Sequence, residues 1–180
     1  MAHGRDRRAS KPIVIMNRIK IYHGSLEQVP IPEIRQPNRT LDYGFGFYTT
    51  TNYQQAEDWV KCHINDKKKT IRGYVNIYEI DIDEVKSGNC LWFDEPTEEW
   101  VNFVYANRNN RDYSHNYDFV YGPVANDRVY AAFTLYESGL LNTQELIREL
   151  KTYTLVDQLL MHTVDSLKAI TFIEAKGIKL

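Results

Sequence analysis

Cysteine is nearly absent: Cys62 and Cys90 are the only two in 180 residues. Two thiols do not make the disulfide framework of a small secreted domain, and a reducing cytosol is the expected setting. Cys62-His63 has no second ligand pair at metal-binding spacing, so no metal site is expected. No run approaches the ~20 apolar residues that a membrane helix needs. Residues 1–11 are basic and polar and lack the apolar core of a signal peptide. They read as a disordered arm or an expression remnant, with nucleic-acid contact as a third reading. The formal net charge is only −2, which gives no overall pull toward nucleic acid or membrane. No Gly-x-Gly-x-x-Gly follows a strand. Gly44-Phe45-Gly46 comes closest, but it precedes a strand-like Phe-Tyr-Thr-Thr, which argues against a Rossmann fold.

What is present is aromatic and β-prone. The apolar fraction is 43% and the aromatic fraction 13%, with thirteen tyrosines, ample for a core without staples. One domain over residues 12–180 is expected. Strands are expected at 13–15, 19–22, 74–82, 119–121, 156–162 and 169–174, from β-branched content and alternation. Residues 26–45 hold three prolines and read as a long loop, a kind of segment that often carries function. Thr51 reads as the start of a helix, with Gln54 in capping-box spacing and Ala56, Trp59, Val60 and His63 on one face. Lys67–Lys69 reads as a solvated turn. Thr97 caps a second helix with the stripe Trp100, Phe103, Val104 and Asn107. A third helix over 128–137 stops at Gly139, and Asn142 with Glu145 opens a fourth. Strands and helices mix without β-α-β alternation, which predicts an α+β fold with a mixed or antiparallel sheet.

Two segments stand out as a set. One is Tyr22-His23-Gly24-Ser25 at a strand end. The other runs from Asp42 through Gly46-Phe47-Tyr48-Thr49-Thr50 into the helix carrying Ala56 and Trp59. In that order they resemble the ADP-ribosyltransferase superfamily, in the His-Tyr-Glu branch that includes diphtheria toxin and the poly-ADP-ribose polymerases. They most resemble a little-characterised family of small bacterial ADP-ribosyltransferase-like toxins encoded beside small antitoxins. The resemblance covers residues 19–172. It implies a single-domain ADP-ribosyltransferase-like fold, a split β-sheet core with flanking helices, and NAD as co-substrate. It also implies a macromolecular acceptor (protein, DNA or RNA), a possible small antitoxin partner and no membrane.

Carried onto this sequence, the resemblance makes His23 the ligand of a ribose hydroxyl. Gly24 holds the nicotinamide carboxamide through its backbone, and Ser25 follows in the Ser/Thr position. Gly46 lets the chain approach the ligand, while Tyr48 and Trp59 cover the two faces of the nicotinamide. The chemistry is self-consistent, because aromatic faces attract the cationic ring by ~0.5–2 kcal/mol each. Cleaving the nicotinamide–ribose bond builds positive charge at the sugar, as in glycoside hydrolysis. The family's late glutamate is matched here by Gln158, in Asp157-Gln158-Leu159-Leu160. Glutamine still hydrogen-bonds a hydroxyl but carries no charge. Three readings follow: a transferase assisted differently, charge supplied by the acceptor or another carboxylate, or NAD binding with little turnover. Plain NAD hydrolysis, and removal of a 2′-phosphate from RNA, are further readings. Asp157 reaches the cleft only if it points there, since alternation places it opposite Gln158. Arg108, Asn107, Arg35 and Arg39 are candidates for the pyrophosphate, and His162 shares the strand face of Gln158. Asp127 reads as structural.

Overall fold

The computed structural model describes residues 17–36, 39–64, 72–124 and 127–179, the side chains of Asp127 and Arg128 excepted. The expected strand at 13–15, the N-terminal arm, the lysine run at 67–69 and the role of Asp127 lie outside what is described.

Two sheets make the core. The first is antiparallel in the order β1-β3-β7, from β1 (Arg18–Ser25), β3 (Arg72–Asp81) and β7 (Ile170–Lys179). The second has the order β2-β6-β5-β4, from β2 (Phe47–Thr49), β6 (Asp157–Met161), β5 (Phe119–Pro123) and β4 (Cys90–Trp92). It is mixed, because β4 runs parallel to β5 while the other pairs are antiparallel. The chain is therefore α+β, as its mixed element order implies.

Central β3 shows why both its faces are apolar. Val75 and Ile77 face α1 (Tyr53–His63), packing with Ala56, Val60 and Ile178. Tyr78 and Ile80 face the second sheet, where they join Ile21, Phe47, Phe119, Leu159 and Met161. Val85 of α2 (Ile82–Ser87) closes this middle layer. The outer face of the second sheet is covered by α3 (Glu98–Asn109), α4 (Asp127–Glu137) and α5 (Thr143–Leu150). There Trp100, Val104, Phe133, Leu146 and Leu150 pack on Val120 and Leu160. Burial of each such side chain contributes about 1.5–3 kcal/mol.

The helix ends follow local chemistry, with one shift. Thr97 caps α3, Asn142 and Glu145 form a reciprocal capping box at α5, and Gly139 adopts φ +76° after α4. The cap of α1 is Asn52 rather than Thr51, its side chain accepting from Gln55 N. Thr51 is occupied elsewhere, its amide donating to Asp157 at 2.7 Å and its hydroxyl to the same carboxylate. The apolar face of α1 is also narrower than expected. Ala56 and Val60 are buried, whereas Trp59 is 41% exposed and stacks on exposed His63 at 3.8 Å. The sequence reading missed α2 and β4 altogether.

Candidate functional site

Among the described residues, an isolated bridge joins β1 of the first sheet to the end of β2 in the second. Tyr22 N donates to Thr50 O at 2.8 Å and Thr50 N to Tyr22 O at 2.9 Å. Counting outward from this antiparallel pair, Gly24 and Tyr48 fall on one face, and His23 and Phe47 on the other. The His23 ring lies 4.5 Å from the Phe47 ring, as that count requires. On β6, Leu160 stands opposite Tyr48, so Gln158, two residues along, shares the Tyr48 face. By this count Gly24, Tyr48 and Gln158 share a face, with Gly24 packed under α1 and Tyr48 on the helical core.

His23 is fixed by its neighbour across the bridge. Its Nδ1 lies 2.7 Å from Tyr48 O, and because a carbonyl only accepts, Nδ1 carries the proton. The neutral ring then leaves Nε2 as an acceptor. Burial lowers the pKa of His23 against the opposing Tyr48 hydrogen bond, and the Arg35 charge adds to the lowering. Gly24 is held tightly: a Cβ there would stand 2.5 Å from Ala56 O and 3.2 Å from Cε3 of Trp59. Its lack of a side chain therefore has a packing reason, the close approach of α1, which places the Trp59 indole directly over Gly24. Ser25 serves the following turn, its Oγ accepting from Glu27 N at 3.1 Å.

Gly46 has φ +148°, and a Cβ would lie 2.4 Å from Met161 O. This glycine fits the chain against β6, which is the structural reason for the residue. The Tyr48 ring packs on the helical core, its hydroxyl donating to Gly44 O at 2.6 Å and accepting from Tyr43 N at 3.2 Å. Burial pushes its phenol far above the usual range. The Tyr48 ring therefore belongs to a layered core as well as to the face it shares with Gly24. Gln158 is 7% exposed; its Nε2 makes no well-formed hydrogen bond among the described residues, although it faces the Tyr43 phenol oxygen closely enough to act on it as a weak donor. A buried donor left without a good acceptor costs about 1–3 kcal/mol.

Other expected residues sit elsewhere. Arg108 is committed to Asp42 at 2.8 Å, with 8% side-chain exposure, and its guanidinium lies 4.1 Å from the Tyr130 ring centroid. Its charge is thus paired inside the protein, while its Nη2 is buried with no hydrogen-bond partner among the described residues. Asn107 is buried and donates to Phe103 O at 2.9 Å. Arg35 pairs loosely with Glu33 at 3.8 Å, both exposed. Arg39 lines a cleft of about 420 Å³ with Gly44, Phe45, Asn107 and Arg111. Asp157 turns away from the Gln158 face. It binds Thr50 Oγ1 at 3.1 Å, the Thr51 amide and hydroxyl, and Tyr121 Oη at 3.3 Å. The Tyr121 phenol is pushed up to about 12, by burial first and by Asp157 second. Asp157 opens onto a larger cleft of about 850 Å³ beside the α1 N-terminus, with Asp94, Glu95 and Tyr121 on its walls.

His115 was not legible in the sequence, since a lone histidine in the polar stretch after α3 carries no pattern. Its Nε2 lies 2.9 Å from Tyr43 O and its ring 4.2 Å from that of His162. Among the described residues, no group of three or more His, Cys, Asp or Glu side chains is placed to hold a metal ion.

A layered α+β chain with a polar junction between its sheets is the class that fold and site define. The chain belongs to the family described as "Protein of unknown function (DUF3990)", whose model matches residues 19–172. A search of the curated proteins finds no match. No described helix is long and apolar enough to cross a membrane.

Proposed function

We propose that this protein binds NAD at the bridge between its sheets and transfers the ADP-ribose to a macromolecule. The observation that carries this reading is the strand register, which sets Gly24, Tyr48 and Gln158 on one face, with Trp59 against Gly24. These residues are distant in sequence, and the ADP-ribosyltransferase resemblance requires them together. The residues fit the ligand on chemical grounds. The Gln158 Nε2 donor makes no well-formed hydrogen bond among the described residues, and a ribose hydroxyl is an acceptor that would satisfy it. His23 offers Nε2 as an acceptor, with its tautomer set by Tyr48 O. Trp59 is exposed and its indole is stacked on His63, so a cationic ring would take the place of that imidazole.

NAD supplies a glycosidic bond whose cleavage places positive charge on the sugar. The resemblance gives the chain's own part as holding the ribose through His23 and Gln158, which the strand count sets on opposite faces of the junction, so the ligand would have to reach both across the bridge. Gln158 brings no charge, and the Asp157 carboxylate is tied to Thr50, Thr51 and Tyr121. The acceptor must then provide the anionic or nucleophilic partner, or turnover is slow.

Incubation with labelled NAD and bacterial lysate tests the reading. Label on a macromolecule together with nicotinamide release is the expected result. NAD binding without release leaves an NAD-binding interaction module, and free ADP-ribose without label marks a glycohydrolase. No binding at millimolar NAD sinks all three. A neutralising antitoxin and action in the bacterial cytoplasm follow from the same resemblance, and co-purification of a small neighbouring gene product tests them.

A further inference from the structure

Three consecutive carbonyls of the loop before β2 are each held by a different side chain. His115 Nε2 meets Tyr43 O at 2.9 Å, Tyr48 Oη donates to Gly44 O at 2.6 Å, and His162 Nδ1 meets Phe45 O at 2.7 Å. The holders come from three places: the segment after α3, β2, and the residue following β6. Each nitrogen facing a carbonyl must carry the proton, so His115 is the Nε2–H tautomer and His162 the Nδ1–H tautomer. The loop accepts this geometry because Gly44 has φ +86°, with Asn107 Oδ1 only 3.1 Å from where a Cβ would stand. The two imidazoles lie 4.2 Å apart, and the Phe45 ring lies 4.4 Å from His162.

From this geometry we infer that His115 and His162 are positioning residues for Tyr48, clamping the loop that its hydroxyl binds on both sides. The hydroxyl donates to Gly44 O and accepts from Tyr43 N, so any shift of the loop moves the Tyr48 ring. The inference rests on the proposed function only for its consequence, since Tyr48 is the ring placed against nicotinamide.

The clamp is sensitive to protons. The other nitrogen of His115, Nδ1, is buried with no partner among the described residues. Protonation there would create a buried donor without an acceptor. Burial first, and His162 in addition, accordingly lower the pKa of His115 against the Tyr43 hydrogen bond. The charged groups around the clamp are few. Asp118 lies at the base, its carbonyl accepting from His162 N at 2.9 Å and its carboxylate engaged by Thr163. Asp42 at the loop start is matched by Arg108. Arg39, Arg111 and Asp112 line the cleft that Gly44 and Phe45 wall. Tyr117 flanks His115 with its ring at 5.6 Å.

Nitrogen-detected NMR of the full chain reads the clamp directly. The expected tautomers are Nε2–H for His115 and Nδ1–H for His162. Lowering the pH from about 7.5 to 5.5 is expected to reduce amide-exchange protection at residues 43–46 by up to about tenfold, with the Tyr48 ring signals moving over the same range. His115→Ala and His162→Ala are expected to reproduce this at pH 7.5. His115→Gln and His162→Asn, which return a donor near the same place, are expected to restore protection. Opposite tautomers, or exchange and Tyr48 signals that ignore the titration, overturn the inference even if the alanine variants fail to fold. None of these readouts uses NAD. A clamp that behaves as expected in a protein that binds no NAD refutes the proposed function alone. NAD binding with a pH-indifferent loop refutes the clamp alone.

Discussion

At the scale of single residues, Gln158 separates ligand chemistry from folding. A poorly partnered buried donor is a cost to the folded state, and replacing it by an apolar group of similar shape is often neutral or stabilising. Gln158→Leu is therefore expected to keep or slightly raise the urea midpoint while lowering nicotinamide release by tenfold or more. A large drop in stability would mean that Nε2 has a structural partner and that the site reading is wrong. Gly24 makes the opposite case. Gly24→Ala puts a methyl 2.5 Å from Ala56 O, and overpacking of that kind costs about 1–3 kcal/mol. Denaturant unfolding measures the cost, and Trp59 fluorescence reports the displacement of α1. Sequence patterns single out His23-Gly24 and Gln158 as candidates but carry no sign of what surrounds them. Gly24 and Gly46 were read as room for a ligand, and each proves to have a packing contact that fixes it. Close contacts with residues about 30 and about 115 positions away in the chain leave no local trace.

Among the elements, the anchors of α1 and α3 are non-local. Asp157 gathers the Thr50 and Thr51 hydroxyls and the Thr51 amide where β2 passes into α1. Asp157→Asn keeps the shape but loses charge-assisted hydrogen bonds, and a loss of about 1–3 kcal/mol is expected by urea denaturation. In α3, Arg108 and Asp42 form a buried pair. Arg108→Ala strands the carboxylate and is expected to cost about 3–5 kcal/mol, whereas a joint Arg108→Met, Asp42→Leu replacement should recover much of it. Thermal melting of the single and double variants decides this. The same non-locality explains the one-residue error at α1. Thr51 and Asn52 both stand three residues before a glutamine, and only the distant Asp157 claims Thr51. The missed α2 had a local signal: Asp81 accepts from Asp83 N and Glu84 N, and an aspartate at that cap followed by glutamate is a recognised start. The missed β4 had none, because three residues on a parallel edge show no period. The longer strands and the caps at Thr97 and Asn142 were legible because alternation and capping spacing are local.

For the whole molecule, two partly buried histidines contribute to the response to mild acid. His23 and His115 both have folded-state pKa values below 6.5, chiefly from burial. Well above pH 6.5 neither state binds these protons and the contribution is constant. Below it the unfolded chain takes up protons first, so stability falls with falling pH until the folded imidazoles also protonate. Urea midpoints are expected to decline from pH 7.5 to 5.5, and the decline should shrink in a His115→Gln variant. An unchanged slope in that variant would place the proton uptake elsewhere.

The Tyr22–Thr50 bridge has a consequence for how this fold tolerates change. Two hydrogen bonds alone would not hold a register, yet the face each residue takes is dictated on both sides by full ladders. These are β1 on β3 from Arg18↔Asp81 to Ser25↔Tyr74, and β2 on β6 from Phe47↔Met161 to Thr49↔Leu159. These ladders, and not the length of the connection from β1 to β2, set which side chains face each other, although residues 43–45 of that connection are themselves held by His115, Tyr48 and His162. An insertion in the connection ahead of Tyr43 would leave the meeting faces unchanged, while a single insertion inside β1 or β2 would exchange His23 with Gly24, or Phe47 with Tyr48, across the junction.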